Sequence, residues 1–208
     1  MIQFSLFGIP VRVEPWFWVT TAFLGGALYA TNQEAMLETA MFMLAAFVSV
    51  LIHEMGHALM IKKFKLPTQV VLTFMGGYAT YPPGILTRKR SFLVTLAGPA
   101  VQFAFGIGVL FLRDYLPAHG TQANSFFFYL VWISLVWAVF NCLPIYPMDG
   151  GQMLAAILGP RRAKAVHMTG IITAAAIGML ALTSGQMFIA IFMGMFAYQN
   201  YQYYQQVR

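Results

Sequence analysis

The sequence predicts an all-α membrane protein, a polytopic bundle of about six transmembrane helices with short β-hairpin elements at its cytoplasmic side. Two observations favour this class. Only 9% of the 208 residues are charged and 60% are hydrophobic, whereas an ordinary soluble domain carries about 25% charged residues. The apolar residues also form long stretches between short polar segments, and about 20 apolar residues cross a bilayer as a helix. These features argue against a soluble monomer, and a single domain over residues 1–208 is the simplest organisation.

The apolar stretches predict membrane helices at 16–30, 39–61, 91–112, 125–143, 165–183 and 187–201. Before them, residues 1–14 alternate apolar and polar side chains around Gly8 and Pro10, which indicates a short β-hairpin. Between the second and third helices, residues 70–81 surround Gly76-Gly77 and end at Pro82-Pro83, which indicates a second hairpin or an extended loop.

The basic residues lie almost entirely on one side of this six-span arrangement. Eleven of the 12 Lys and Arg residues fall on one side, and Arg113 alone falls on the other. Because cytoplasmic loops carry the excess of Lys and Arg, both termini are expected in the cytoplasm. Anchoring at the membrane surface also explains the basic clusters at 62–65 and 88–90, so no nucleic-acid partner is expected. The compact, prokaryote-like chain favours a bacterial inner (plasma) membrane, and its oligomeric state stays open.

Three local features have structural interpretations. Cys142 is the single cysteine, so no internal disulfide forms, and it is expected to be a small buried side chain. Gly170, Ala174 and Gly178 recur every four residues, which predicts close packing of one helix against another. The apolar stretch 16–30 is expected to stay a membrane helix rather than a cleaved signal peptide, because its end offers a poor small-x-small site.

The second predicted helix contains His53-Glu54-Met55-Gly56-His57. Residues four apart share one face of a helix, so both imidazoles can meet one metal ion with the carboxylate beside it. Ionisable groups near the bilayer centre cost about 2.5 to 3.5 kcal/mol on insertion scales and usually serve a function. The motif therefore predicts a metal site. The other two histidines, His119 and His167, are interpreted as solvated or interfacial residues.

Two histidines do not complete a hydrolytic zinc site, which usually takes three protein ligands and leaves a position for water. Asp149 is the remaining acidic residue near a membrane segment on the same side. Pro144 and Pro147 break the fourth predicted helix before it, and Gly150-Gly151 after it permits unusual backbone angles. Since an unwound segment at membrane depth must be buried or line a watery cavity, Asp149 is predicted to meet the metal.

Together, H-E-x-x-H in one span and N-x-x-P-x-x-P-x-D-G at 141–150 resemble the site-2 protease family of intramembrane zinc metalloproteases. The resemblance covers 39–158, including Gly76-Gly77 and the Ala-Gly-Pro segment at 97–99. It implies a three-helix catalytic core within these residues and a transmembrane protein as substrate. It also implies one zinc ion per chain, with His53, His57 and Asp149 as metal ligands, Glu54 as catalytic base and Asn141 holding the substrate or its oxyanion.

Two positions depart from the family pattern. Met148 stands where Leu is usual before Asp-Gly, and Gln102 stands where Asn often follows Ala-Gly-Pro. The larger relatives carry a PDZ-like insertion or a cystathionine-synthase-type tail, and the sequence shows neither, so regulation by such modules is not expected.

The strand edge at 70–81 is a hypothetical binding site for an unwound substrate segment, with Gly76 and Gly77 in contact with it. Measured from the end of the second span near Ile61, His53 and His57 lie about 6 to 12 Å inside the cytoplasmic boundary. Water is therefore expected to reach them from the cytoplasm.

Two other functions stay open at this stage. A non-catalytic zinc-bound scaffold or chaperone would use the metal as a clamp, but a clamp has no need of Glu54. A metal or proton transporter would use the buried His and Asp as a relay. The Pro- and Gly-containing segment and the lack of an evident inverted repeat argue against a transporter.

Overall fold

The computed structural model of the chain describes residues 1–74, 76–115 and 120–207. His119 and Arg208, which were interpreted from the sequence, lie outside these residues. Within them the chain forms four strands and seven α-helices in the order β1 (Ile2–Leu6), β2 (Ile9–Val13), α1 (Pro15–Leu24), α2 (Gln33–Lys63), β3 (Gln69–Thr73), β4 (Gly76–Thr80), α3 (Arg88–Leu112), α4 (Thr121–Asn141), α5 (Asp149–Leu158), α6 (Ala163–Thr183) and α7 (Met187–Gln206).

Both hairpins form, and they join into one sheet of four strands in the order β1-β2-β3-β4. β1 pairs with β2 and β3 pairs with β4, each antiparallel. The two hairpins meet through parallel pairing of β2 with β3, where Val11 lies opposite Val70. β3 is therefore an interior strand, which corrects the expectation that 70–74 belong to an open edge. Among the described residues, the edge of this half of the sheet is β4.

One face of the sheet packs on α2. The inward side chains of β2 alternate with more exposed ones, as expected for a strand with one buried face, whereas the three central residues of β3 are all buried. They meet α1 and the second half of α2, which carries residues 53–57. The buried side chains of this cluster are Ile9, Val11, Val13, Phe17, Val50, Met55, Ala58, Val70 and Leu72.

Four helices of the described chain are long and apolar enough to cross a membrane, namely α2, α3, α4 and α6 with the turn that precedes it. The first and last predicted spans are not among them. α1 has only 10 residues and ends at Gly25, so at 1.5 Å per residue it reaches about half of the hydrocarbon thickness. α7 has 20 residues, but its second half is rich in Gln, Asn and Tyr.

By its internal contacts the chain divides into two compact units. The first contains Met1–Ile85 and Ala97–Val139, and the second contains Leu86–Leu96 and Phe140–Arg208. The single-domain organisation and the core at 39–158 stay predictions.

In the first unit, hydrogen bonds join α2 to α4. Glu38 of α2 accepts hydrogen bonds from Ser125 and Tyr129 of α4, at 2.6 and 3.0 Å. The first unit therefore holds α4 beside α2 by polar contacts as well as by apolar packing.

In the second unit, α6 and α7 pack through the small residues Gly170, Ala174 and Gly178, as predicted. Ala174 is fully buried, and a Cβ on Gly178 would lie 3.3 Å from Cβ of Met193 on α7.

Candidate metal centre

His53 and His57 lie one turn apart on α2 and present their rings to each other. Their Nε2 atoms are 3.1 Å apart, and the rings meet edge to face with centroids 4.8 Å apart. Both side chains are buried, with 4% and 8% of their surface exposed. Two nitrogen atoms that converge in this way can serve as ligands of one metal ion.

Close contact with α3 fixes the ring of His57. A Cβ on Gly56 would lie 2.6 Å from the carbonyl oxygen of Ala97, so α2 and α3 approach backbone to backbone. A Cβ on Gly98 would overlap the imidazole of His57. The Ala-Gly-Pro segment at 97–99 thus supplies the small residues that let α3 pass next to the metal ligand.

Glu54 lies on the same helix and faces the sheet. Its side chain is buried, with 4% exposed, and a Cβ on Gly77 would lie only 2.6 Å from Glu54 Cγ. The neighbouring Gly76 has φ of +111°, in the left-handed region that favours glycine. The edge strand β4 therefore passes directly beside the carboxylate because its first two residues have no side chain.

Asp149 is the first residue of α5 and follows the turn at 142–148, so the predicted helix break is present. The residue is buried, with 7% exposed. A Cβ on Gly150 would overlap the carbonyl of Cys142, and a Cβ on Gly151 would overlap the backbone of Tyr146. The two glycines thus allow the start of α5 to pack against the turn, which fixes the backbone at Asp149.

Ligand atoms of His53, His57 and Asp149 all lie within 4.8 Å of one another. In the part of the chain that the structure describes, no other group of three His, Cys, Asp or Glu side chains meets this condition. Two imidazole nitrogens and a carboxylate oxygen are the donors of hydrolytic zinc sites, which keep one position open. The donor set of these three residues fits zinc, and their assignment as its ligands stays a prediction.

Three further residues that the sequence analysis interpreted lie outside this group of ligands, namely Asn141, Cys142 and His167. Asn141 is the last residue of α4 and is half-buried, and its contact with substrate stays a prediction. Cys142 is exposed, which corrects the expectation of a buried side chain. His167 is half-buried, with its ring packed against Tyr146 and Tyr203 at centroid distances of 5.5 and 5.4 Å, and its interfacial position stays a prediction.

Sequence reasoning assigned no function to Gln102, although its side chain touches the site. Gln102 is fully buried on α3, and its Oε1 lies 2.8 Å from Nδ1 of His53. One signal in the sequence points to this contact. Gln102 follows Gly98 by four residues, so it lies one turn along the same face of α3 that meets α2.

The chain is similar in sequence to known metallopeptidases. Residues 116–185 match the model of peptidase family M50. The chain is 28% identical over 159 residues to a zinc metalloprotease of Methanocaldococcus jannaschii, covering 76% of this chain and 45% of that protein. It is 30% identical over 148 residues to stage IV sporulation protein FB of Bacillus subtilis, covering 70% of this chain and 46% of that protein. The chain thus spans less than half the length of these two relatives.

A solved structure, the site-2 protease from Methanocaldococcus jannaschii, has the same fold. The TM-score is 0.68 at 24% sequence identity, and the match covers 98% of this chain and 94% of that one. The chain is therefore similar to peptidase family M50 over residues 116–185 and to zinc metalloproteases over about three quarters of its length, and it shares the fold of a site-2 protease.

Proposed function

We propose that this chain is an intramembrane zinc metalloprotease that hydrolyses a peptide bond within or near a transmembrane segment of a protein substrate. The observation that carries the proposal is the convergence of His53, His57 and Asp149 beside a buried Glu54. α2 is one of the helices long and apolar enough to cross a membrane. Ionisable groups inside such a helix are costly and usually functional.

His53, His57 and Asp149 would hold one zinc ion per chain, since their donor atoms are those of a hydrolytic zinc site. A bound zinc ion lowers the pKa of water to about 7 in favourable cases and polarises a carbonyl oxygen.

Glu54 would act as the general base. Its carboxylate takes a proton from the attacking water and later delivers that proton to the leaving amine. The side-chain amide of Asn141 would donate a hydrogen bond to the oxyanion that develops on the substrate carbonyl. The burial of Glu54 supports this assignment, because a carboxylate in a water-poor site interacts more strongly with the reacting groups than one in bulk water.

A substrate strand would bind along β4. A peptide bond in a helix is shielded by its own hydrogen bonds, so a transmembrane substrate must unwind locally before hydrolysis. An unwound segment can pair with a sheet edge, and β4 is such an edge among the described residues. The contact between Gly77 and Glu54 supports the proposal, because a peptide added to β4 near Gly76 and Gly77 would lie close to the base.

The chain would be a multi-pass protein of the bacterial inner membrane. α1 alone is too short to cross, so we count the whole segment 14–32 as one crossing, because β2 before it pairs with β3 after α2 and therefore lies on the same side. With α7 and the four longer helices this gives six crossings and puts both termini in the cytoplasm. The distribution of Lys and Arg supports this topology. The partners would be the lipid bilayer and transmembrane protein substrates, and no nucleic acid.

The experiment is cleavage of tagged single-span membrane proteins by the purified full chain in liposomes, with bound zinc measured in parallel. Wild type should cleave, whereas Glu54→Gln should retain zinc and lose cleavage. Glu34→Gln is the matched control, since it makes the same change at an exposed position of α2. Full zinc occupancy without cleavage across a broad panel would contradict the protease function and favour a zinc-bound scaffold. Metal transport into the liposomes without proteolysis would favour a transporter.

A further inference from the structure

We infer that Gln102 is a positioning residue that selects the metal-binding tautomer of His53. The inference rests on the proposed zinc site and adds a residue to it that is not itself a ligand. Gln102 has no exposed surface, and its Oε1 lies 2.8 Å from Nδ1 of His53. A buried amide at this distance from the ring decides which nitrogen of the ring carries the proton.

The orientation of the amide follows from its second contact. Nε2 of Gln102 lies 2.9 Å from Oγ of Ser49 and 3.4 Å from the backbone carbonyl oxygen of Ser49. A carbonyl oxygen only accepts hydrogen bonds, so the NH₂ group of the amide faces Ser49 and its oxygen faces the imidazole.

The tautomer of His53 follows from the orientation of the amide. Because Oε1 is an acceptor, Nδ1 of His53 must carry hydrogen and donate it. The neutral ring then has its lone pair on Nε2, the atom that lies 3.1 Å from Nε2 of His57. The nitrogen that faces the metal position is thereby the one able to bind a cation.

The amide is held in turn by two serines. Oγ of Ser49 on α2 lies 2.9 Å from Oγ of Ser134 on α4, and both serines are fully buried. The chain of contacts from His53 through Gln102 and Ser49 to Ser134 therefore connects α2, α3 and α4. Rotation of the amide would break its contact with the Ser49 carbonyl, so the packing of three helices keeps the acceptor pointed at the ring.

Loss of the acceptor should weaken zinc binding. Without it, His53 populates the other tautomer, whose Nε2 carries hydrogen and cannot bind a cation. Groups that orient a ligating imidazole typically contribute 10- to 100-fold to metal affinity.

Two variants separate the acceptor from the packing of the side chain. Gln102→Met has a side chain of similar length without an acceptor oxygen. Gln102→Glu retains an oxygen for Nδ1, and the Ser49 hydroxyl can turn to donate to it.

The test is zinc affinity of the full chain in detergent, measured from the metal-free state by competition with a chelator. The visible spectrum of the cobalt-loaded protein is a second measurement, because it reports the ligand geometry. Gln102→Met should lose about 10- to 100-fold in zinc affinity and change the cobalt spectrum, while Gln102→Glu stays close to wild type. Thr39→Val, which removes a buried hydroxyl elsewhere on α2, is the control and should bind zinc as wild type does.

Thermal unfolding of the metal-free variants checks that each has folded. Wild-type affinity in Gln102→Met would overturn the inference, and so would an equal loss in Gln102→Met and Gln102→Glu, since that would indicate a packing function alone. A wild-type chain that binds no zinc would overturn the proposed function and this inference with it. Normal zinc binding without cleavage would contradict the protease function and leave the tautomer argument standing.

Discussion

Gly98 of α3 lies so close to His57 of α2 that a Cβ at position 98 would overlap Nε2 of the imidazole. Gln102 lies four residues after Gly98, one turn further along α3. Its side chain contacts His53. One face of α3 thus contacts both histidines of the H-E-x-x-H motif. The Ala-Gly-Pro segment therefore has a direct structural effect on the metal ligands, although it contributes none of them.

Gly98→Ala should abolish tight zinc binding. The added methyl group would overlap the ring of His57, so either the ring or the close contact of α3 with α2 at Gly56 must give way, and both changes move the metal ligand. We expect a loss of at least about 100-fold in zinc affinity, comparable with the largest effects of groups that orient ligands. Zinc affinity by chelator competition is the measurement.

The matched control is Gly108→Ala on the same helix, where an added Cβ has open space. This change should leave zinc affinity unchanged and stabilise the protein by about 0.5 to 1 kcal/mol, the usual gain for Ala over Gly inside a helix. Equal zinc affinity in Gly98→Ala and wild type would show that His57 does not depend on this contact.

Gly77→Ala should reduce cleavage while zinc stays bound. The new methyl group would lie 2.6 Å from Glu54 Cγ and 2.9 Å from Leu72 Cδ2, so the carboxylate must shift. A displacement of about 1 Å at a reacting group can lower the rate about 100-fold. The measurement is the initial rate of substrate cleavage at full zinc occupancy. Thr80→Ala, at the far end of β4, serves as control, and equal rates for both variants would contradict this prediction.

Asn200→Ala should destabilise the turn that precedes Asp149. Asn200 is fully buried, and its Nδ2 donates to the backbone oxygen of Tyr146 at 2.6 Å. Removal of the amide leaves that carbonyl without this donor, and such a loss costs about 1 to 3 kcal/mol. Unfolding in detergent should show the decrease. Gln199→Ala removes a neighbouring amide with a 3.4 Å contact and should have a small effect. A larger effect from Gln199→Ala would refute the explanation.

Glu14 should make stability depend on pH at the acid end. Hydrogen bonds from Thr73 and then Arg12, at 2.8 and 2.6 Å, lower the pKa of Glu14 below its ordinary value of 4.5. A lowered pKa in the folded state adds stability above the unfolded value, and this contribution disappears as the pH falls through the folded value. Glu14→Gln should therefore be less stable than wild type at neutral pH, with the difference shrinking below about pH 4.5.

The measurement is the unfolding temperature in detergent from pH 7 to 3. Thr73→Val removes the first donor and should show a weaker dependence than wild type, because the pKa of Glu14 then lies closer to its ordinary value. A constant difference between wild type and Glu14→Gln over this range would show that the carboxylate does not contribute through its charge.

The sequence by itself determined those features that depend on residues close together in the chain. Apolar stretches identified the four long helices, and the spacing of His53 and His57 placed two imidazoles on one helix face. Alternation identified the first hairpin, and the glycine pair with the prolines after it indicated the second. The prolines before Asp149 and the glycines after it located the helix break. Each of these features depends on the helix period, the strand period or the backbone freedom of neighbouring residues. The order of residues along the chain was therefore sufficient to predict them.

Tertiary structure decided how distant segments meet. Parallel pairing of β2 with β3 joins residues far apart in sequence and makes β3 an interior strand, which no local pattern indicates. Gln102 and His53 are 49 positions apart, and their contact depends on the crossing of α2 and α3 at Gly56 and Gly98. The short α1 likewise escaped prediction, because composition describes an apolar stretch but not the point where its helix ends. Side-chain packing between separate elements has no period in the sequence, so only the folded chain reveals it.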